Sequence, residues 1–301
     1  MMQAKIAILP DRGVVRVAGA DAEKLLQDVI TNDMDLLAAQ PAIHAALLAP
    51  QGKILFEFFV AKAGEGSYLL ETGVDQAAAL AKRLGMYKLR AKVVIADVSA
   101  EYRVLAHWGE APQSPGEAKG TVRFPDPRLP ELGLRILAES KFADDVASAS
   151  NGSDATAEDY HAHRIALGVP EGGKDYAFGD AFPHEALFDQ LNGVSFEKGC
   201  YVGQEVVSRM QNRGTARRRI VPVIADSPLP ASGASIAAGG VEIGTLGSVA
   251  GPRGLAQIRL DRAAEFIDKG ETLRAGGVPI RVDIPAWARF KLEARPEGSS
   301  A

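Results

Sequence analysis

The chain has 301 residues, a length that suits two or three packed units. Hydrophobic residues make up 47% of the sequence and aromatic residues 6%, which is typical of a soluble globular protein with an aliphatic core. The net charge of −4 gives no general argument for nucleic acid or an anionic membrane surface as the partner.

The amino-terminal stretch lacks the apolar core of a signal peptide and the arginine- and serine-rich character of a transit peptide. No run of about 18 apolar residues is present, so we expect no membrane-spanning helix. The single cysteine excludes an internal disulfide and fits a reducing compartment. We therefore predict a cytoplasmic protein without a resident metal ion.

The first two thirds of the chain predict strands and helices in alternation. The break at 19–21 places Asp21 as the N-cap of a helix that carries Leu25, Leu26 and Val29 on one face. The other predicted elements are strands at 14–17, 43–48, 54–60, 67–71, 93–98 and 102–108, helices at 74–86 and 155–167, and a loop at 109–120.

The last third has a different texture, with short β-rich segments separated by glycine pairs. No long helical period is evident there, so the pattern predicts a small antiparallel barrel or sandwich that begins near Arg217. The predicted strands are at 220–224, 241–249, 255–260 and 278–282.

The only cysteine lies in the string Phe-Glu-Lys-Gly-Cys-Tyr-Val-Gly-Gln-Glu at 196–205. A lysine ammonium and the start of a helix both stabilise a thiolate, so Lys198 beside Cys200 predicts a reactive thiol and a catalytic role for both. Gly199 and Gly203 would let the backbone turn sharply or approach another segment closely. The alternative is an inert, half-buried cysteine.

This string resembles the signature of the YgfZ family. These folate-binding proteins help to maintain certain iron–sulfur enzymes and are related to the aminomethyltransferase, or T-protein, of the glycine cleavage system. The other segments similar to that family are 19–33, 52–57, 87–93, 126–128, 164–170 and 183–186.

The resemblance implies an α+β, T-protein-like fold with three subdomains in a cloverleaf. Residues 1–216 would form the folate-binding region from two interleaved α+β subdomains, the second at roughly 45–140. Residues 217–301 would form the C-terminal β-barrel. The implied cofactor is tetrahydrofolate or a related reduced folate.

The resemblance also implies folate-binding residues. It assigns Glu185 to the pterin edge, where one carboxylate can accept two adjacent N–H groups; a solvated surface carboxylate is the alternative. The further implied folate contacts are Tyr201, Gln204 and Arg164. Leu187 departs from the family, which often shows a polar Asn there.

Glu57 stands where T-proteins carry a pair of aspartates, one of them the catalytic acid that contacts the folate. Here the pair is Phe56-Glu57, a departure that argues against aminomethyl transfer. Strand alternation puts Glu57 on the face opposite Phe56 and Phe58. It is interpreted either as a folate contact or as a glutamate at a sheet edge that reaches solvent.

Five arginines lie between 209 and 219. They are interpreted as an anion site for the glutamate tail of folate, as a docking surface for an acidic partner, or as a solvated linker. Few aromatic residues interleave with them, which argues against a nucleic-acid surface.

Three functions remain open at this point. The first is a tetrahydrofolate-binding accessory protein in assembly or repair of iron–sulfur enzymes, with assembly proteins or client enzymes as partners. The second is a folate-dependent one-carbon transferase or demethylase. The third is an interaction protein that retains a vestigial pocket.

Overall fold

The computed structural model describes residues 3–109, 119–214 and 216–293. The chain divides into two compact units. Unit 1 consists of residues 1–160 and 191–205, and unit 2 consists of residues 161–190 and 206–301. The chain therefore leaves unit 1 after Tyr160 and returns to it for a short segment that includes the cysteine.

Unit 1 is built on two five-stranded sheets. Its strands are β1 (Lys5–Ile8), β2 (Arg12–Ala18), β3 (Ala42–Leu48), β4 (Ile54–Gly64), β5 (Ser67–Gly73), β6 (Val94–Asp97), β7 (Tyr102–Trp108), β8 (Thr121–Pro125), β9 (Leu134–Glu139) and β10 (Ser153–Asp154). Its helices are α1 (Ala22–Val29), α2 (Val74–Tyr87) and α3 (Ala143–Ala149), with 3-10 helices at Met34–Ala38, Pro130–Leu132 and Ser140–Phe142. The sheet orders are β3-β4-β5-β2-β6 and β10-β1-β7-β9-β8.

The apolar core of unit 1 follows the predicted helix and strand faces. Leu26 of α1 and Leu80 of α2 share one buried cluster with Phe56, Phe58 and other side chains of the first sheet. The predicted strands at 43–48, 54–60 and 67–71 are confirmed as β3, β4 and β5. Most of the loop predicted at 109–120 lies outside the described residues.

The predicted N-cap of α1 differs from the structure. Asp21 does precede the helix, but its side chain makes no capping hydrogen bond. Asp21 Oδ2 instead accepts from the Lys92 backbone N–H at 2.7 Å, so the carboxylate ties the helix start to the chain before β6. The sequence pattern gave the position of the helix but not the partner of the side chain.

The other face of the first sheet carries a buried charge network. Glu71 Oε1 accepts from Arg12 at 2.9 Å and from Arg135 at 3.0 Å, while Arg128 forms two hydrogen bonds with the carboxylate of Asp126 at 3.0 and 2.8 Å. Burial of Asp126 opposes ionisation, but Arg128 and Arg135 outweigh it and hold its pKa at about 2. The guanidinium groups of Arg128 and Arg135 also lie over the ring of Phe59 in β4.

His107 of β7 is fully buried, and within the described residues neither of its ring nitrogens has a hydrogen-bond partner. Burial, and then the charge of Arg123, lowers the pKa of His107. The unfolded chain therefore binds this proton more tightly than the folded chain does. The contribution of His107 to the free energy of unfolding should be constant above about pH 6.5 and should fall below that pH.

We expect His107→Phe to flatten this loss of stability, measured as the urea midpoint between about pH 7.5 and about pH 5.5. A residual slope should remain from His184, whose pKa is also lowered by burial. An equally steep acid loss in the variant would contradict the assignment to His107.

Unit 2 is built on one antiparallel sheet in the order β16-β15-β12-β13-β14-β11-β17. Its elements are β11 (Arg218–Ile224), β12 (Ser235–Ala238), β13 (Val241–Ala250), β14 (Arg253–Arg259), α6 (Leu260–Asp268), β15 (Arg274–Ala275), β16 (Val278–Pro279) and β17 (Arg281–Val282); α4 (Ala157–Ala166) and α5 (Gln204–Arg213) contain the points where the chain passes between units. The expectation that no helix follows residue 220 is wrong, because α6 lies between β14 and β15.

Across residues 3–109, 119–214 and 216–293, no helix has the length and apolar character needed to span a bilayer. The same residues contain no cluster of three or more His, Cys, Asp or Glu side chains placed to hold a metal ion. The expectation that the chain has no resident metal stays a prediction.

Candidate functional site

A pocket of about 450 Å³ lies within unit 1. One wall comes from β3 and the 3-10 helix before it. The other comes from residues 192–197 of the segment with which the chain returns to unit 1, which we call the returning segment (residues 191–205). The lining residues are Asn32, Leu36, Gln40, Ile43, His44, Pro127, Asn192, Val194, Ser195, Phe196 and Glu197.

Buried polar side chains hold the returning segment in place. The backbone carbonyl oxygens at 193, 192 and 191 lie 2.6 Å from Thr31 Oγ1, 2.7 Å from Asn32 Nδ2 and 3.1 Å from His44 Nδ1, respectively. Asn32 Nδ2 also donates to the His44 carbonyl oxygen at 2.7 Å. Because these side chains are buried and hydrogen-bonded, they hold the pocket wall through contacts within the protein.

Lys198 anchors the same segment one step further along the chain. Its Nζ donates to the carbonyl oxygens of Gln27, Ile30 and Asn32 at 2.7, 2.9 and 2.8 Å, so all three ammonium protons have an acceptor. The ammonium also lies 5.3 Å from the centre of the Tyr201 ring. Burial lowers the pKa of Lys198 to about 8, against the opposing effect of nearby aspartates.

The cysteine lies on a short loop between two anchors, which we call the thiol loop (residues 199–202). Cys200 is exposed and has no disulfide partner. At the far end, Gly203 has φ +84°, and a Cβ there would be 2.6 Å from the Ala49 carbonyl oxygen. The helix predicted to start at the cysteine instead begins at Gln204, so the prediction that a helix start lies beside the thiol is wrong.

The structure gives Lys198 a different role from the predicted one. Its ammonium is directed at the end of α1, where it joins the returning segment to that helix. The catalytic roles of Lys198 and Cys200 stay predictions. The Lys198 ammonium, which was predicted to stabilise the thiolate, donates its hydrogen bonds to three carbonyl oxygens.

Glu57 lies behind the pocket wall. Alternation along β4 is confirmed for residues 56–58, because Phe56 and Phe58 face the apolar cluster and Glu57 does not, whereas Leu55 packs against the same cluster beside a register shift in the β3–β4 pairing. Glu57 is buried, and its Oε1 lies 3.0 Å from Nε2 of the pocket residue His44. Since β4 is paired on both sides, the interpretation of Glu57 as an edge glutamate in solvent is wrong.

Tyr201 and Gln204 contact each other across the thiol loop. The Gln204 side chain accepts from the Tyr201 backbone N–H at 3.3 Å, and the Tyr201 carbonyl accepts from the Gln204 N–H at the same distance. Tyr201 is buried, which raises the pKa of its hydroxyl. Their roles in folate binding stay predictions.

Two predicted folate residues belong to unit 2. The carboxylate of Glu185 is buried, accepts from the Phe182 backbone N–H at 3.0 Å and lies 3.3 Å from Arg218 Nε. The fully buried guanidinium of Arg164 donates to Asp175 at 2.7 Å and to Ser248 at 3.0 Å. Both side chains have structural partners in their own unit, and their folate contacts stay predictions.

The arginine-rich stretch is more structured than a solvated linker. Arg219 is buried and forms two hydrogen bonds with the carboxylate of Asp189, each 2.9 Å long, and a third with the His184 carbonyl oxygen. Arg219 and Arg218 are therefore paired within unit 2, with Asp189 and Glu185 respectively.

Sequence reasoning missed the pocket residues Asn32, His44 and Glu197. The polar Thr31-Asn32 pair after an apolar helix was a signal that could have indicated the first of them.

Comparisons with known proteins agree with this architecture. Residues 217–290 match the family described as "CAF17, C-terminal beta-barrel domain". A crystal structure of glycine cleavage system aminomethyltransferase T from Bartonella henselae matches with a TM-score of 0.76, over 95% of this chain and 87% of that chain, at 16% sequence identity. That likeness confirms the predicted T-protein-like α+β fold with a C-terminal β-barrel.

Two curated relatives define the family. "Iron-sulfur cluster assembly factor IBA57, mitochondrial" from Mus musculus is 36% identical over 305 residues, covering 93% of this chain and 84% of the mouse protein. The IBA57 homolog from Mycosarcoma maydis is 36% identical over 243 residues, but the chain spans only 60% of its length. The chain belongs to the IBA57 family of iron–sulfur cluster assembly factors.

These relatives refine one prediction and correct another. The resemblance to YgfZ pointed to a bacterial relative of the family rather than to the family itself. The predicted cytoplasmic location is wrong, because the relatives are named as mitochondrial proteins. The prediction rests on the amino-terminal composition and on the single cysteine, and neither excludes a mitochondrial location.

Proposed function

We propose that this chain is an iron–sulfur cluster assembly factor that binds a reduced folate, tetrahydrofolate or a close relative, in the pocket of unit 1. Its partners would be iron–sulfur assembly proteins or client enzymes. The observation that carries the proposal is that the signature string begins in the pocket wall, where Phe196 and Glu197 line the pocket.

The residues of the pocket fit the chemistry of a folate. Its volume is within the range of about 300–1,000 Å³ common for small-molecule sites. Leu36 and Phe196 expose large apolar surfaces against which a flat heterocycle can pack. Glu197 supplies a carboxylate that can accept two adjacent N–H donors of a pterin.

We expect Glu197→Gln to weaken tetrahydrofolate binding at least about tenfold, since a hydrogen bond to a charged group contributes roughly 1.5–3 kcal/mol. Isothermal titration calorimetry under anaerobic conditions measures the change. Asp35→Asn is the matched control, because Asp35 is exposed beside the pocket residue Leu36 but does not line the pocket; it should leave the dissociation constant unchanged. An unchanged constant for Glu197→Gln would exclude the pterin edge from this pocket.

Glu185→Ala tests the contact that the family resemblance implies. A loss of at least about tenfold in affinity is expected if the pterin edge lies on Glu185. An unchanged dissociation constant would remove Glu185 from the folate site and leave its carboxylate a structural role, with its contacts to Phe182 and Arg218.

The single cysteine limits how the chain can take part in cluster assembly. Since a [4Fe–4S] cluster needs about four ligands, we expect the purified protein alone to hold no stable cluster after anaerobic reconstitution. Loading should require a partner, a second copy of the chain or a small thiol such as glutathione. A stoichiometric cluster on the monomer without added thiol, found by iron and sulfide analysis, would contradict this.

A deletion strain tests the function as a whole. Activities of several iron–sulfur enzymes should fall in the strain and recover with the wild-type chain, and Cys200→Ala reports whether the thiol is needed.

A one-carbon transferase is the competing function. Assay of transfer from an aminomethyl carrier to tetrahydrofolate should show no turnover, because Phe56-Glu57 replaces the aspartate pair of T-proteins.

A further inference from the structure

The two ring nitrogens of His44 contact oxygen atoms of different kinds. Its Nδ1 lies 3.1 Å from the Leu191 carbonyl oxygen, at the start of the returning segment, and its Nε2 lies 3.0 Å from Glu57 Oε1. Both side chains are buried, His44 at 1% exposure and Glu57 at 8%. His44 also lines the pocket, so these contacts connect Glu57 to the pocket wall.

The two contacts require more protons than a neutral imidazole carries. A backbone carbonyl only accepts, so the contact with Leu191 is a hydrogen bond only when Nδ1 is protonated. Neutral imidazole then presents a lone pair at Nε2, and an ionised carboxylate offers only lone pairs. The contact between His44 and Glu57 is therefore a hydrogen bond only when one further proton lies between Nε2 and Oε1.

We propose that His44 and Glu57 together hold one exchangeable proton, and that this proton makes His44 a positioning residue for the pocket wall. While the proton is held, Nδ1 donates to Leu191 and keeps the returning segment in place. When the proton passes to solvent, a single proton remains on the ring. One of the two contacts, with Leu191 or with Glu57, then brings two lone pairs together and is no longer a hydrogen bond. The pocket wall loosens because that hydrogen bond is lost.

The charged groups on the neighbouring elements do not supply this proton. The arginines that face the same layer, Arg128 and Arg135, form hydrogen bonds with Asp126 and Glu71, and Arg135 also donates to the Tyr160 hydroxyl. The charge of Glu57 is among those that raise the pKa of Arg128, so Arg128 favours the ionised form of Glu57. Arginine does not deprotonate in proteins, and the pKa of Asp126 is held at about 2. On the pocket side, Glu197 is the carboxylate among the lining residues.

The Glu57→Gln variant distinguishes this proton-dependent positioning role from direct contact between Glu57 and the ligand and from a purely structural role of Glu57. A glutamine amide N–H can donate to Nε2 of a neutral imidazole, so both contacts of His44 survive without the extra proton. If Glu57 contacted the ligand directly, the same change would weaken binding at every pH.

The first measurement uses the free protein, labelled with ¹⁵N-histidine and titrated by NMR from about pH 5 to about pH 9, with His44→Gln to assign the signals. In the wild type, the pair should lose one proton on going to alkaline pH. In Glu57→Gln, the His44 ring should stay neutral with its proton on Nδ1 through neutral and alkaline pH. Identical titrations of His44 in the two proteins would overturn the proposal.

The second measurement rests on the proposed function, because it follows tetrahydrofolate affinity over the same pH range. Wild-type affinity should fall by about tenfold or more as the pair loses its proton, and Glu57→Gln affinity should stay near the wild-type value at low pH. Equal pH profiles for the two proteins would overturn the positioning role. If neither protein binds folate while their NMR titrations differ, the folate proposal fails and the proton-holding pair stands.

Discussion

Replacement of Lys198 by methionine should lower the free energy of unfolding by about 3–5 kcal/mol. Methionine keeps much of the apolar stem but leaves the carbonyl oxygens of Gln27, Ile30 and Asn32 without the donor that they share. Hydrogen bonds to a charged group contribute roughly 1.5–3 kcal/mol each, offset in part by the cost of burying the ammonium. The loss removes the link between α1 and the returning segment.

Urea unfolding at pH 7 measures this effect, and Lys24→Met is the matched control. Lys24 is on α1 but is exposed, with only an i,i+4 pair to Asp28. Its replacement should change stability by less than about 0.5 kcal/mol. A Lys198→Met protein within about 1 kcal/mol of the wild type would show that the three carbonyl oxygens find water or other donors.

Gly203→Ala should cost about 2–4 kcal/mol, because two unfavourable terms add. A residue with a Cβ is strained at φ +84°, by about 1–3 kcal/mol. The added methyl would also lie 2.6 Å from the Ala49 carbonyl oxygen and 3.1 Å from the Gly52 Cα, and both obstacles are backbone, so the loop has to move.

Gly199→Ala provides the control for this prediction within the same motif. Gly199 does not have a positive φ, and an added Cβ there meets no atom within 4 Å. Its replacement should change the urea midpoint little, within about 0.5 kcal/mol in stability. Equal effects of the two substitutions would mean that the close approach at Gly203 relaxes without cost.

The parts of the fold that repeat with a regular period could be predicted from the sequence. The alternation at 54–60 predicted which side chains share a face of β4, since successive side chains of a strand point to opposite faces. Both faces of this strand are buried. The helix α6 has the same kind of signal, with Leu260, Ala263 and Ala264 on its buried face, but at nine residues it is short enough to be hidden among strands.

The site could be predicted only in part, because its geometry comes from contacts distant in the chain. The string at 196–205 overlaps the pocket lining at Phe196 and Glu197, but the sequence did not predict that the chain returns to unit 1 at residues 191–205. Its partners Thr31, Asn32 and His44 are about 150 to 165 residues away in sequence, and no local pattern links a histidine in a strand to a carbonyl oxygen that far along the chain. The carbonyl acceptors of Lys198 were missed for the same reason.

Leu187 shows how a departure in sequence can preserve a backbone. It takes φ +64°, a left-handed conformation that asparagine adopts far more readily than leucine. The backbone at this position would therefore suit the asparagine that the YgfZ resemblance implies better than it suits leucine. Leu187 is fully buried, so its side chain adds to the apolar interior while its backbone bears the strain.

The return of the chain to unit 1 also has a consequence for biosynthesis. When residue 160 has been made, the carbonyl oxygens at 27, 30 and 32 and the hydroxyl of Thr31 still lack the partners that the segment at 191–205 supplies. At 5–20 residues per second, the ribosome needs roughly 2–9 s to add that segment. During this interval the nascent chain presents an incomplete pocket wall, so unit 1 reaches its final hydrogen bonding only after part of unit 2 has emerged.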